Sequence, residues 1–232
     1  ILKQMTATFE KNPKIDFVNV CTPCGLHAEH TITSFEAGKN VLSEKPMAIF
    51  TKDAIKMAET AKGNKKNLFI VKQNRYNPPV KIVRQLIGEG KLGKPLLCIV
   101  NMIWNRNDDY YKKAEWRGNL KLAGGTLYNQ ASHFVDLMLL FMGKPKTVYA
   151  LMGKNKKNIE IEDTGNILSE FKNGSFGALN YTVSAAKKNC EGSLTLLFSK
   201  GTIKIGGEYL DKIDYFQVEG VDSYEFNDAS DP

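Results

Sequence analysis

Three short segments of this chain hold the side chains most able to do chemistry. Val20-Cys21-Thr22-Pro23 is followed by Leu26-His27. Ser43-Glu44-Lys45-Pro46-Met47 places a lysine directly before a proline, which restricts its backbone. Ala123-Gly124-Gly125-Thr126-Leu127-Tyr128 runs into Asn129-Gln130-Ala131-Ser132-His133 and on to Asp136. On a continuous helix Asn129, His133 and Asp136 would fall at i, i+4 and i+7, one polar line in an apolar element. A histidine can exchange a proton near neutral pH, and a lysine can stabilise negative charge growing on an oxygen. Each group alone has a plainer reading. Glu44-Lys45 could be a surface ion pair of little energetic weight, and His133 a core histidine bonded to Asp136. Only their conjunction points to a site.

The elements around them must set the geometry. Ile15–Val20 is a short apolar run that fits a buried strand. Residues 25–37 fit a helix stopped by Gly38, 40–43 a strand, 52–62 a helix capped by Thr51, and 68–71 another strand. Strand–helix–strand–helix–strand with short links predicts parallel βαβ units. The Cys21-Thr22-Pro23 and Glu44-Lys45 segments then lie at carboxyl ends of strands, where open α/β sheets bind ligands. Beyond residue 75 the pattern changes. A helix is expected at 79–88, and an alternating strand at 96–104 with Cys98, Val100, Met102 and Trp104 on one face. A helix over 129–142 should stop at Gly143, and strands follow at about 146–152, 161–171, 175–184, 191–198 and 201–206. Asn173-Gly174 is a hairpin signal. The expected fold is α/β: part of a Rossmann parallel sheet, residues 1–74, then an α+β domain, residues 75–232, with an open, mainly antiparallel sheet.

Three motifs lose to their context. Gly88-Glu89-Gly90-Lys91-Leu92-Gly93 spells a dinucleotide fingerprint, but a helix precedes it and a strand follows, the reverse of what phosphate binding needs. Cys21-Thr22-Pro23-Cys24 spells a redox pair outside a thioredoxin-like setting. Cys21, Cys24, His27 and His30 spell a metal site, yet ligands three apart on one helix drift by about 4.5 Å per step and do not converge, so no metal is expected.

Composition bounds the rest. With 232 residues, 42% of them hydrophobic, the chain can build one large core or two modest ones. No apolar run is long enough to cross a bilayer, no signal-peptide pattern opens the chain, and the four cysteines form no disulfide framework; a cytoplasmic setting is expected. The +7 net charge comes from scattered lysines rather than a dense basic face, which argues against nucleic acid and a membrane surface but suits phosphorylated small molecules.

Together the CTP-x-x-LH turn, the EKP turn and the GG-x-L-x-N-x-x-x-H-x-x-D segment resemble the glucose–fructose oxidoreductase/inositol dehydrogenase (Gfo/Idh/MocA) family across about residues 15–207. The resemblance implies an NAD-dependent sugar dehydrogenase, with NADP as the alternative cofactor, in which the cofactor carries the hydride. It implies Lys45 and His133 as catalytic residues, with His133 the first choice of base. It implies cofactor contacts from Cys21, Thr22, Pro23, Leu26 and His27, from Glu44 and Lys45, and from Gln73, Trp116 and Arg117. Lys72, Arg75, Asn129, Gln130, His133, Asp163 and Thr164 would meet the substrate. Val71-Lys72-Gln73-Asn74-Arg75, Tyr110-Tyr111, Trp116-Arg117-Gly118 and Ile161-Glu162-Asp163-Thr164-Gly165 are further similar to bacterial UDP-N-acetylglucosamine-uronate 3-dehydrogenases. Those oxidise the C3 hydroxyl of a nucleotide sugar for surface polysaccharide biosynthesis. Asn129 stands where many family members carry Asp but agrees with that subgroup. Relatives acting on inositol or a free sugar, or a non-catalytic cofactor-binding sensor, are the alternatives. A glycine-rich phosphate turn in the right context is missing, so the chain looks truncated at both ends, and without that turn weak or no NAD binding is expected. Alternation at Leu194, Leu196, Phe198, Ile203 and Ile205 predicts an apolar sheet face that pairs subunits into a dimer or tetramer.

Overall fold

The computed structural model describes residues 1–156, 158–207 and 209–223. The chain forms two compact units. One holds residues 1–72, 109–132 and 158–161, and the other residues 73–108, 133–157 and the chain from Glu162 onward.

In the first unit, β1 (Phe17–Val20), β2 (Asn40–Ser43) and β3 (Leu68–Ile70) pair in parallel in the order β1-β2-β3. Helices α1 (Leu2–Lys11), α2 (His27–Glu36) and α3 (Thr51–Gly63) accompany them. Val20, Phe35, Val41 and Ala61 form its core, with Val18 and Leu68 packed against them. Burying a side chain such as Phe35 contributes about 1.5–3 kcal/mol, which holds α2 to the sheet. Thr51 is not a cap: Phe50 is the extended residue before α3, and no side chain caps the helix. The two short helices α5 (Asp108–Lys112) and α6 (Leu120–Ala123), and α7 (Thr126–Asn129), interrupt what had read as one loop and one helix.

The second unit is a seven-stranded sheet with helix α4 (Pro78–Gly88) and helix α8 (Ser132–Met142). Its strands are β4 (Pro95–Ile103), β5 (Pro145–Gly153), β6 (Thr164–Phe171), β7 (Phe176–Thr182), β8 (Glu191–Phe198), β9 (Gly201–Gly206) and β10 (Lys212–Val218). The order is β10-β9-β8-β4-β7-β6-β5, antiparallel except for the parallel pair β4–β7. The sequence concealed β10, an edge strand with mixed polar residues. The turn at Asn173-Gly174 joins β6 to β7, with Gly174 at φ +86°. Gly88 ends α4 and β4 starts at Pro95, so the glycine run between them is a helix-to-strand connection.

One expectation about the sheet fails. Leu194, Leu196, Ile203 and Ile205 are wholly buried and Phe198 nearly so, because they form the core with residues such as Val83, Phe134 and Leu137 of the helices. Exposed apolar side chains occur elsewhere, at Tyr149, Leu151, Leu168 and Phe176 of β5, β6 and β7. Among the described residues no helix is long and apolar enough to cross a membrane.

Candidate functional site

Two turns of the first unit project from the carboxyl ends of β1 and β2. The first carries Cys21, exposed, and Thr22 and Pro23, half-buried; the second carries Glu44 and Lys45, both half-buried, before a cis bond to Pro46. His27 pins them together. Its ring is 1% exposed, with Nδ1 2.7 Å from Pro46 O and Nε2 2.8 Å from Thr22 O. His27 therefore braces the two turns. His30 adds a second brace, its Nδ1 3.1 Å from Thr22 Oγ1, and burial lowers its pKa. Leu26 stays half-buried beside the turn. Burial likewise raises the pKa of Cys24, against the opposing influence of Lys45.

Lys45 is held by a feature the sequence hid. The predicted helix over 129–142 is broken: α7 ends at Asn129 and α8 starts at Ser132. Gln130 N and Ala131 N both donate to Thr126 O, 2.8 and 3.0 Å, which closes off the first helix. Lys45 Nζ donates to Asn129 O at 2.6 Å, and Lys72 Nζ to Ser132 O at 3.3 Å. Asn129 thus does not share a helix with His133 and Asp136, and the polar line expected from i, i+4, i+7 spacing does not form.

The Asn129 side chain joins a network within the same unit. Its Nδ2 approaches Cys24 Sγ at 3.7 Å, and its Oδ1 accepts from Gln130 Nε2 at 3.0 Å. Gln130 Nε2 also donates to Tyr110 Oη at 2.9 Å. The Arg117 guanidinium stacks 4.0 Å from the centre of the Tyr110 ring and 5.5 Å from that of Trp116. Its Nε is buried without a hydrogen-bond partner among the described residues. Tyr110 earned no role from its position in an irregular segment, because nothing periodic marked it; only the fold brings it to Gln130 and Arg117.

In the second unit His133 is 9% exposed, in the first turn of α8. Three residues on, Asp136 pairs with Arg75, accepting two 2.7 Å bonds from Nε and NH2. That fork raises the Arg75 pKa, the hydrogen bond it donates to Asp136 being the main cause. Arg75 is thereby anchored to α8. Gln73 is exposed in the 3-10 turn just before it.

Asp163 and Thr164 are also committed. Asp163 is fully buried and accepts from Asn155 N at 2.9 Å, Asn155 Nδ2 at 3.1 Å, Lys156 N at 2.7 Å and Thr164 Oγ1 at 2.9 Å. Burial alone would raise its pKa, but these donors outweigh it and the net shift is downward. Thr164 Oγ1 lies 2.8 Å from Thr182 Oγ1. The pair clamps the connection from β5 to β6.

Residues 80–204 match the model of the GFO/IDH/MocA C-terminal domain, and residues 4–72 match that of the oxidoreductase family with an NAD-binding Rossmann fold. Among solved structures, the WlbA dehydrogenase from Bordetella pertussis, in complex with NADH and UDP-GlcNAcA, is 36% identical with a TM-score of 0.88, covering 92% of this chain and 62% of that one. A 1-carboxy-3-chloro-3,4-dihydroxycyclohexa-1,5-diene dehydrogenase of Comamonas testosteroni is 33% identical over 74% of this chain and 43% of its own length. The scyllo-inositol 2-dehydrogenase (NADP(+)) IolW of Bacillus subtilis is 31% identical over 77% of this chain and 48% of its own. The chain thus spans about half the length of the relatives it matches.

Proposed function

This chain belongs to the GFO/IDH/MocA oxidoreductase family, and from that premise we propose that its protein oxidises a secondary alcohol of a nucleotide sugar with NAD. The favoured substrate is the C3 hydroxyl of a UDP-N-acetylglucosamine-derived uronate, and the product a ketone for surface polysaccharide biosynthesis. The observation that carries the reading is Lys45, fixed by a 2.6 Å hydrogen bond to Asn129 O at the carboxyl end of a parallel strand. Likeness to a dehydrogenase solved with NADH and UDP-GlcNAcA supports the choice of substrate.

The first unit supplies part of a dinucleotide site. Thr22, Pro23 and Glu44 stand at strand carboxyl ends, and the buried, unpartnered Arg117 Nε is a donor suited to a phosphate or carboxamide oxygen. NAD, when bound, accepts the hydride. The chain's own residues manage the rest. His133 serves as the base for the hydroxyl proton, Lys45 stabilises negative charge as it develops on oxygen, and Asn129 orients the sugar without adding charge. Arg75, Asp163 and Thr164 act at one remove, by holding α8 and the β5–β6 connection. In this reading residues 1–74 serve the cofactor and 75–232 the substrate and subunit contacts. Tyr149, Leu168 and Phe176 would be the centre of a subunit contact; a strictly monomeric mass by light scattering would remove that part.

The test is reduced-cofactor formation with UDP-N-acetylglucosaminuronate, UDP-N-acetylglucosamine and myo-inositol, adding a 2-oxo acid as oxidant in case the cofactor stays bound. Turnover of the uronate supports the reading. Turnover of inositol alone favours the second reading, a polyol dehydrogenase, for which the likeness to the scyllo-inositol enzyme speaks.

A further inference from the structure

The second unit contains a cavity of about 660 Å3 that none of the roles above uses. Its size falls within the roughly 300–1,000 Å3 typical of small-molecule sites. It opens where β4 ends, β8 begins and β9 turns into β10. Trp104, Lys188, Glu191, Lys204 and Asp214 supply its chemistry.

These groups are fixed rather than loose. The Trp104 ring packs edge-on against Phe134, centroids 5.7 Å apart at 70°, and Phe134 follows His133 in α8. The Arg106 guanidinium lies 5.0 Å over the indole, and Asn189 Oδ1 accepts from both Asn105 N, 2.9 Å, and Arg106 NH1, 3.4 Å. Glu191 Oε1 accepts from Ser193 Oγ at 2.5 Å and from Asn101 Nδ2 at 3.2 Å, and faces Lys204 Nζ at 4.0 Å. Asp214 can lie over β9 only because residue 206 is glycine: a Cβ there would sit 1.9 Å from Asp214 Oδ2. Lys188 has no ion-pair partner among the described residues.

The mixture of charges narrows the ligand. A neutral polyol has no use for two ammonium groups, and a bare anion would be repelled by two carboxylates. A nucleoside diphosphate satisfies both, since its phosphates need cations and its ribose hydroxyls need acceptors. We propose that this cavity seats the nucleoside diphosphate half of the substrate, with phosphates on Lys188 and Lys204, ribose on Glu191 and Asp214, and the base along Trp104. The inference rests on the nucleotide-sugar reading above and deepens it. It places the nucleotide end of the substrate next to the helix turn that bears His133.

The experiment titrates UDP into the protein by calorimetry, with ADP in parallel, for the wild type and a Lys188→Ala/Lys204→Ala double variant. Lys188 is exposed and Lys204 partly so, and circular dichroism checks that the variant folds. UDP should bind the wild type, and the double variant should bind at least about tenfold more weakly, since each charged contact is worth about 1.5–3 kcal/mol. KM for the nucleotide sugar should rise in step while kcat changes less than about twofold. Trp104→Ala should also weaken UDP. Equal UDP affinity in wild type and double variant overturns the site. So does ADP binding as tightly as UDP with the same lysine dependence, which would assign the cavity to a dinucleotide. If the wild type turns over the nucleotide sugar and KM is unmoved in the variant, only this site falls. If neither turnover of nucleotide sugars nor UDP binding occurs, the functional reading falls with it.

Discussion

Replacing Asp163 by Asn should destabilise the protein without altering substrate affinity directly. The carboxylate is fully buried and receives four hydrogen bonds, two of them from the backbone N–H groups of Asn155 and Lys156. An amide keeps one accepting oxygen and turns its NH2 toward two of those donors. About two charge-assisted bonds are then lost, and at about 1.5–3 kcal/mol each, with some relaxation, the cost is about 3 kcal/mol. For a chain of this size that corresponds to roughly 6–12 °C in Tm. The folded-state pKa is depressed, so wild-type Asp163 stabilises the fold at pH values above its unfolded pKa of about 3.9. That stabilisation drains away as pH falls from there through the folded pKa. The gap between wild type and Asp163→Asn, measured by urea unfolding, should therefore be full at pH 7 and shrink below about pH 4. A variant as stable as wild type at pH 7 but with a raised KM would refute the clamp and return Asp163 to the substrate.

Gly25→Ala should lower stability by about 1–3 kcal/mol, because the new Cβ would sit 2.2 Å from the backbone oxygen of Lys121, which cannot swing aside; thermal melting checks this. Arg75→Ala leaves the Asp136 carboxylate without its fork and should cost about 1–2 kcal/mol, the 41% exposed arginine being partly screened by solvent, with kcat falling because the α8 turn loosens; Arg75→Lys should restore only part of either. Lys45→Met should lower kcat about 100-fold or more while the melting temperature moves little, since Lys45 is only half-buried. Iodoacetamide at pH 8 followed by mass spectrometry should label Cys21 and Cys190 and spare Cys98, which is buried with its thiol pKa pushed up to about 12.

Local pattern carried most of the elements into view. The short apolar strands at β1, β2 and β3, the helices between them, and the alternation of Cys98, Val100 and Met102 on the buried face of β4 all follow from neighbours in the chain. What stayed hidden depends on partners far away in sequence. Alternation at Leu194, Leu196 and Phe198 correctly marks one face, but period two cannot say whether helices or a second subunit cover it. Asp163 entered only through the resemblance, as a substrate contact, because nothing nearby announces that residues 155 and 156 fold back onto it.

The break between α7 and α8 shows why a site can be located by its residue types yet misread in its geometry. Leu127, Tyr128, Ala131 and Phe134 sustain a helical apolar pattern across the break, so periodicity favours one unbroken helix. An unbroken helix would spend Asn129 O on the N–H four residues later, that of His133. The observed structure instead gives that carbonyl to Lys45 Nζ, a residue 84 positions away, and Ser132 O to Lys72 Nζ. The interruption thus turns the Asn129 carbonyl into an acceptor for Lys45, while Lys72 adds a donor to Ser132 O in the first turn of α8. That arrangement favours keeping a kink that propensity alone would remove. A substitution that restores helical continuity there, such as Gln130→Ala, should leave the fold standing but release Lys45, lowering kcat more than it changes Tm.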